Sequence, residues 1–393
     1  MSGPRLGPAP AFFCVVLSFT VVMVGTTMPT PIYPLYEHRL GFSTLVQTVV
    51  FAVYAVGVLA TLLLCGRWSD VVGRRPMLLA GLGAALASSL VFLGADRVWV
   101  LLVGRFLSGV SAGVFLGAAT AAVIEAAPPR WSRRAAPVAT AANIGGLGLG
   151  PLLAGLAVRY LPAPLRLSFA VHAGCVVVCA ALVLLVPETV DVAPGARLRP
   201  QRPSVPAGLR GTFVTSATAG FAGFALLGLF TAVSPQVVAH VFGRSSAAVA
   251  GLVVFLLLGA SAAVQLGSRR LPGRGALVGG CALLVAGVLL VGVSVEVASF
   301  PLLVAGAVVA GAGQGMSFTK ALGALSTGAA PERRAGVTSS YFLVLYVALA
   351  VPVVALGAAT QAWGLVTTTF AFSVAVAALC AAALLRLLRS RER

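Results

Sequence analysis

Twelve apolar runs, each about as long as a bilayer crossing, limit what this chain can become more than any other feature. They fall at roughly 11–34, 44–65, 77–95, 98–124, 136–158, 165–187, 211–240, 246–267, 275–296, 299–325, 336–358 and 364–388. A membrane-spanning helix needs about 20 such residues, and turn residues or charges punctuate nearly every junction. Twelve spans consume most of the 393 residues and leave no room for a sizeable soluble domain. At 59% hydrophobic residues and 9% charged, the chain lies well beyond the roughly 45–50% apolar content of soluble domains. The expected fold class is all-α integral membrane.

The net charge of +18 could suggest a nucleic-acid partner. The basic residues instead sit in small clusters between the apolar runs, where the positive-inside rule puts them, so no nucleic-acid partner is expected. With the N-terminus inside, 20 cations fall in the inner segments, among them Arg5, Arg67, Arg74, Arg75, Arg130, Arg197, Arg269 and Arg393. Five fall outside, at Arg39, Arg97, Arg159, Arg166 and Arg244. Both termini are therefore placed in the cytoplasm. Arg5 followed by the run from Ala11 resembles a signal peptide. The run continues to about Met28 without a small-x-small cleavage site, so it reads as a retained first span. The six cysteines lie in or at the ends of apolar runs without metal-ligand spacing and read as packing residues.

The longest polar stretch, rich in proline and arginine, divides the chain into residues 1–187, a linker at 188–210, and residues 211–393. Repeats support two equivalent six-span halves. Gly104, Gly109 and Gly113 match Gly306, Gly311 and Gly315 at one constant offset, and Ala127-Pro128 before Arg133-Arg134 matches Ala330-Pro331 before Arg333-Arg334. Parallel six-span repeats around a midplane site are a transporter architecture.

Between the second and third runs stands Gly66-Arg67-Trp68-Ser69-Asp70-Val71-Val72-Gly73-Arg74-Arg75-Pro76. Gly66, Asp70, Gly73, Arg74 and Arg75 resemble the loop motif of the major facilitator superfamily, and the likeness extends over the whole chain. It implies twelve transmembrane helices in two pseudo-symmetric six-helix bundles. It also implies a cytoplasmic gating role for the loop, in which Asp70 accepts hydrogen bonds from an arginine or from a facing helix N-terminus. The counterpart at Gly267–Arg274 has Leu271 in place of the acid, so the latch is expected to be one-sided. Gly146, Gly150, Pro151 and Gly155 in span 5 resemble the motif of drug and proton antiporters, with Ala154 where a second glycine often stands. Close helix packing is the other reading of these glycines, and Pro151 is expected to favour a bend. Pro187-Glu188-Thr189 closes span 6 as in many such exporters and is assigned no chemistry.

Charges inside the spans are the candidate substrate and proton groups. Arg105 in span 4 either contacts substrate or a proton site, or snorkels to the outer surface. Lys320, the single lysine, either snorkels inward or joins Arg105 in giving the cavity two positive groups. Two positive groups would favour a neutral, zwitterionic or anionic substrate. Gln314 and Asn143 are candidate polar contacts, with Gln265, Ser317, Thr319, Tyr341 and Tyr346 beside them. Span 1 lacks the acid that such antiporters often carry. Candidate titrating groups are therefore His172 in span 6, packed or proton-carrying, and Glu37 and Glu125 at span ends, where solvated interfacial charge is the alternative. Prolines at 29, 31, 34 and 235 are expected to bend spans 1 and 7.

The resemblance implies a secondary transporter of the plasma membrane, a monomer without cofactors, exporting small organic molecules or drugs in exchange for protons. An importer or an uncoupled facilitator of a polar metabolite is the alternative. A membrane enzyme is disfavoured, since His38, His172 and His240 have no aspartate four or five residues on, and neither a zinc-protease helix motif nor a nucleotide loop occurs.

Overall fold

The computed structural model describes residues 6–66, 68–190, 200–268 and 271–389. Arg5, Arg67, Arg269, Arg270, the linker core at 191–199 and the last four residues lie outside the described residues. Among those described, all regular structure is helical, and twelve stretches are long and apolar enough to cross a membrane.

Span 1 consists of α1 (Pro8–Thr27) and α2 (Tyr33–Leu40), joined by a tight turn over Thr30–Ile32. The break falls at Pro29, Pro31 and Pro34, whose missing N–H groups interrupt the helical ladder. Next come α3 (Thr44–Cys65), α4 (Arg74–Leu93) and α5 (Val98–Glu125). Span 5 is α6 (Ser132–Thr140) and α7 (Gly146–Tyr160), and span 6 is α8 (Pro164–Leu184). The second half begins with α9 (Arg210–Ala232) and α10 (Ser234–His240), which part at Pro235 as expected. It continues through α11 (Ala247–Gly267), α12 (Gly273–Glu296), α13 (Phe300–Gly328), α14 (Arg334–Trp363) and α15 (Leu365–Arg389).

Pro151 leaves its helix unbroken. Helix α7 runs through it, and the irregularity lies upstream, in one π-helical turn at Ala141–Gly145. Proline has no N–H, so the Leu147 carbonyl one turn earlier loses its helical partner. The Thr27 hydroxyl of α1 donates to that carbonyl at 2.7 Å. A neighbouring helix thus satisfies the group that proline leaves open.

The glycine repeat has a spatial meaning. A Cβ on Gly109 would meet the Tyr54 carbonyl of α3, and one on Gly311 the Leu257 carbonyl of α11. Matched glycines therefore let matched helix pairs approach at backbone distance. Two further packings join the halves, α3 with α14 and α7 with α11.

Candidate functional site

A cavity of about 340 Å³ lies where the two halves meet, with walls from α1, α3, α5, α7, α9, α11, α13 and α14. Phe51, Tyr54, Phe224, Phe318, Phe342 and Tyr346 supply much of its surface. Among its lining residues Arg105 carries the one charge, and no carboxylate or imidazole is present. Arg105 does not snorkel, being only 2% exposed. Nη1 donates to the Thr26 carbonyl at 2.6 Å, and the guanidinium carbon lies 4.7 Å from the Tyr54 ring centroid. These contacts offset part of the cost of desolvating a cation. Arg105 Nε has no protein partner.

On the opposite wall Gln314 and Gln265 line the cavity beside Ser261. The Ser261 hydroxyl donates to Gln314 Oε1 at 2.6 Å and receives Gln265 Nε2 at 3.1 Å, so α11 orients both amides. Asn143 reaches the cavity from the π-helical turn. Tyr346 lines it too, whereas Ser317, Thr319 and Tyr341 do not.

Lys320 departs from the expectation of a doubly positive cavity. It lines a separate cleft with Arg210, Arg274 and Arg386, and its Nζ donates to the Leu271 carbonyl at 3.0 Å. One cation, not two, faces the cavity.

His172 stands behind the cavity in a crevice of about 10 Å³ that shares Thr26 with it. Such a space holds about one water molecule. Nε2 lies 3.0 Å from the Val21 carbonyl, and since a carbonyl only accepts, Nε2 carries the hydrogen. Nδ1 lies 2.7 Å from Ser89 Oγ, which is itself 3.1 Å from the Ala85 carbonyl. Gly25 makes room for the ring, because a Cβ there would overlap the imidazole.

At the end formed by α2 and α10 a clasp joins the halves. Gln236 Nε2 donates to Glu37 Oε2 at 2.8 Å and to Gln47 Oε1 at 3.1 Å, while Gln47 Nε2 donates to the Ala232 carbonyl at 2.5 Å. Backbones also touch nearby, where a Cβ on Gly251 would meet the Pro151 carbonyl and one on Gly155 the Ala247 carbonyl. Gly146 and Gly150 pack on α1 in the same manner. Each span 5 glycine that the antiporter likeness singles out is thus a close-packing position.

At the opposite end Asp70 reaches no facing helix among the described residues. It pairs with Arg74 of its own loop at 2.5 Å and is 56% exposed. Arg74 also makes a bidentate contact with Glu125, at 2.9 and 3.1 Å, and the Thr189 hydroxyl donates to Glu125 at 2.6 Å. Glu125 is therefore a bonded member of the loop cluster rather than a solvated charge. Glu188, assigned no chemistry from sequence, accepts the backbone N–H groups of Arg74 at 2.8 Å and Arg75 at 3.0 Å. It caps the N-terminus of α4, whose first donors have no helical partner. Gly73 adopts φ 108°, and a Cβ there would strike the Glu188 carboxylate. Gly66 is the last turn residue of α3, near the linker residue Gln201. The Gln201 and Ser204 N–H groups donate to the Leu63 and Gly336 carbonyls, so the linker joins the C-terminal end of α3 to the N-terminal end of α14.

Comparisons with known proteins place this arrangement. Over 146 residues the chain is 32% identical to tetracycline resistance protein class E of Escherichia coli, covering 36% of this chain and 35% of that one. Over 152 residues it is 28% identical to multidrug resistance protein 2 of Bacillus subtilis (strain 168), covering 38% of each. The chain thus spans about a third of the length of the curated relatives it matches. Two solved structures share the fold across 98% of the chain. They are a bacterial homologue of the human lysosomal transporter Spinster, in an inward-facing, unoccupied conformation (TM-score 0.74, 15% identity, 99% of that chain), and the human organic anion transporter MFSD10 (0.68, 19%, 100%). The Major Facilitator Superfamily model matches residues 15–351. With twelve candidate spans among the described residues and a cavity where the two halves meet, the chain belongs to the Major Facilitator Superfamily and is a multi-pass membrane protein.

Proposed function

We propose that the protein exports small, drug-like organic molecules that are neutral, zwitterionic or anionic, by alternating access across the plasma membrane, with both termini in the cytoplasm. The cavity carries this reading: its wall is aromatic and apolar, with Arg105 as its single charge. Such a wall favours amphipathic organic molecules over sugars, and a desolvated guanidinium repels a lipophilic cation. The names of the tetracycline and multidrug resistance relatives support export of drugs. The organic anion transporter of the same fold is compatible with the charge preference. In proteoliposomes, Arg105→Gln is expected to reduce transport of an anionic substrate more than tenfold and that of a neutral one less. A cationic dye transported equally by wild type and variant would overturn the charge preference.

His172 is the group we assign to the coupled proton. In the neutral ring Ser89 donates to Nδ1; in the charged ring Nδ1 donates to Ser89, whose hydroxyl turns to the Ala85 carbonyl. Both states keep their hydrogen bonds. Facing it are Val21 and Gly25 from α1 and Ser89 from α4, none of them charged, and the Thr26 carbonyl of the same crevice accepts from Arg105. A pH gradient should drive uptake into inverted vesicles bearing wild-type protein, while His172→Gln should retain counterflow and lose that response. An undiminished response in the variant would remove His172 from the coupling.

A further inference from the structure

A second large cavity, outside the substrate path, opens at the arginine-rich end of the second half. It measures about 1130 Å³ and lies between the ends of α9, α12, α13 and α15. Each helix contributes one cation, Arg210, Arg274, Lys320 and Arg386, and among the described residues no acidic one lines the space. Two of the four bond to neutral oxygens: Arg274 Nη2 donates to the Leu387 carbonyl at 2.6 Å, and Lys320 Nζ to the Leu271 carbonyl at 3.0 Å. The Leu271 carbonyl leaves the Lys320 charge uncancelled, and with Arg210 and Arg386 beside it the cluster raises the local potential and gathers anions. Guanidinium and ammonium donors match phosphate oxygens, with the charge-assisted hydrogen bonds strongest in such pairs. Val214 and Leu277 line the cleft beside the cations, and the helices around it are membrane spans. An anion that also presents hydrocarbon therefore fits better than a free ion.

We propose that this cleft binds the phosphate headgroup of an anionic phospholipid, with the acyl chains lying along Val214 and Leu277. Basic pockets between spans at the cytoplasmic face suit such headgroups. The site assigns Lys320, absent from the substrate cavity, a role as a lipid ligand. It stands independently of the exported substrate and of proton coupling.

The test uses the purified full chain in neutral detergent, followed by thermal unfolding and native mass spectrometry. Phosphatidylglycerol is expected to raise the unfolding midpoint and remain bound in the gas phase, whereas phosphatidylcholine does neither. The double variant Lys320→Gln/Arg386→Gln should weaken phosphatidylglycerol binding at least tenfold. The control pair Arg159→Gln/Arg166→Gln, at the opposite end, should leave it unchanged. If the double variant is unstable, Arg210→Gln alone should give a smaller loss in the same direction. Equal response to both lipids, or wild-type binding by the variants, would overturn the site. Protection by inorganic phosphate equal to that by phosphatidylglycerol would overturn the lipid assignment.

Discussion

Arg105 and Lys320 look equivalent in sequence, each a lone cation in an apolar span. Their surroundings separate them: Arg105 meets the Thr26 carbonyl and the Tyr54 ring at the cavity wall, while Lys320 reaches a main-chain oxygen in another cleft. The distinction was not legible because helix rotation and depth, not residue type, decide which space a side chain enters. Glu125 and Glu188 were misjudged for a related reason. Each lies more than fifty residues from Arg74 in the chain, yet both bond to it. A carboxylate on the first N–H groups of a helix acts as an N-cap, and losing a cap costs about 1 kcal/mol. Glu188→Ala should therefore lower the unfolding midpoint by about one degree in a chain of this length, and Glu188→Gln, which keeps an acceptor but loses the charge, by less. Differential scanning fluorimetry of the purified variants checks this order.

For single elements, the prolines at 29, 31, 34 and 235 mark breaks that the sequence anticipates, whereas Pro151 leaves its helix unbroken. Pro29, Pro31 and Pro34 break span 1, but Pro151 sits in a continuous helix because Thr27 replaces the missing donor. That replacement comes from a different span and leaves no local signal. Thr27→Val keeps the volume and removes the hydroxyl, leaving the Leu147 carbonyl unsatisfied at a cost of about 1–3 kcal/mol. A lowered midpoint is expected, with Thr27→Ser restoring most of it; a Thr27→Val protein as stable as wild type would show that the carbonyl finds another donor. The span 5 glycines were legible as close-packing positions, since small residues at helical spacing have that use in any membrane helix. The partner helices, α1 for Gly150 and α11 for Gly155, were not.

Across the whole molecule, the twelve spans and the internal repeat were readable from the chain, and the direction of closure was not. Glu37, Gln236 and Gln47 join the halves at one end, whereas at the other end Asp70, among the described residues, pairs only with Arg74 at the start of α4. With both termini in the cytoplasm as proposed, the pattern is that of an outward-closed arrangement with the inner latch unengaged. Replacing Gln236 with alanine, or Glu37 with glutamine, removes the charge-assisted contact and should shift the population toward outer opening. Spin labels on the outer ends of α3 and α10 should then report a longer distance by double electron–electron resonance. An unchanged distance distribution in both variants would show that the glycine contacts between α7 and α11 hold the outer end closed without the clasp.

The sequence by itself determined the membrane class, the number of spans and the family, because bilayer thickness imposes a run length on any chain that crosses it and the loop motif is contiguous. The tertiary structure alone decided which polar groups meet. Arg105 facing the cavity, Lys320 in a basic cleft, His172 against Ser89 and Glu188 on the Arg74 amide all depend on helix rotation and on contacts between distant segments. The Asp70 loop likewise keeps its motif in the sequence, but whether it latches depends on how the two halves stand at that moment.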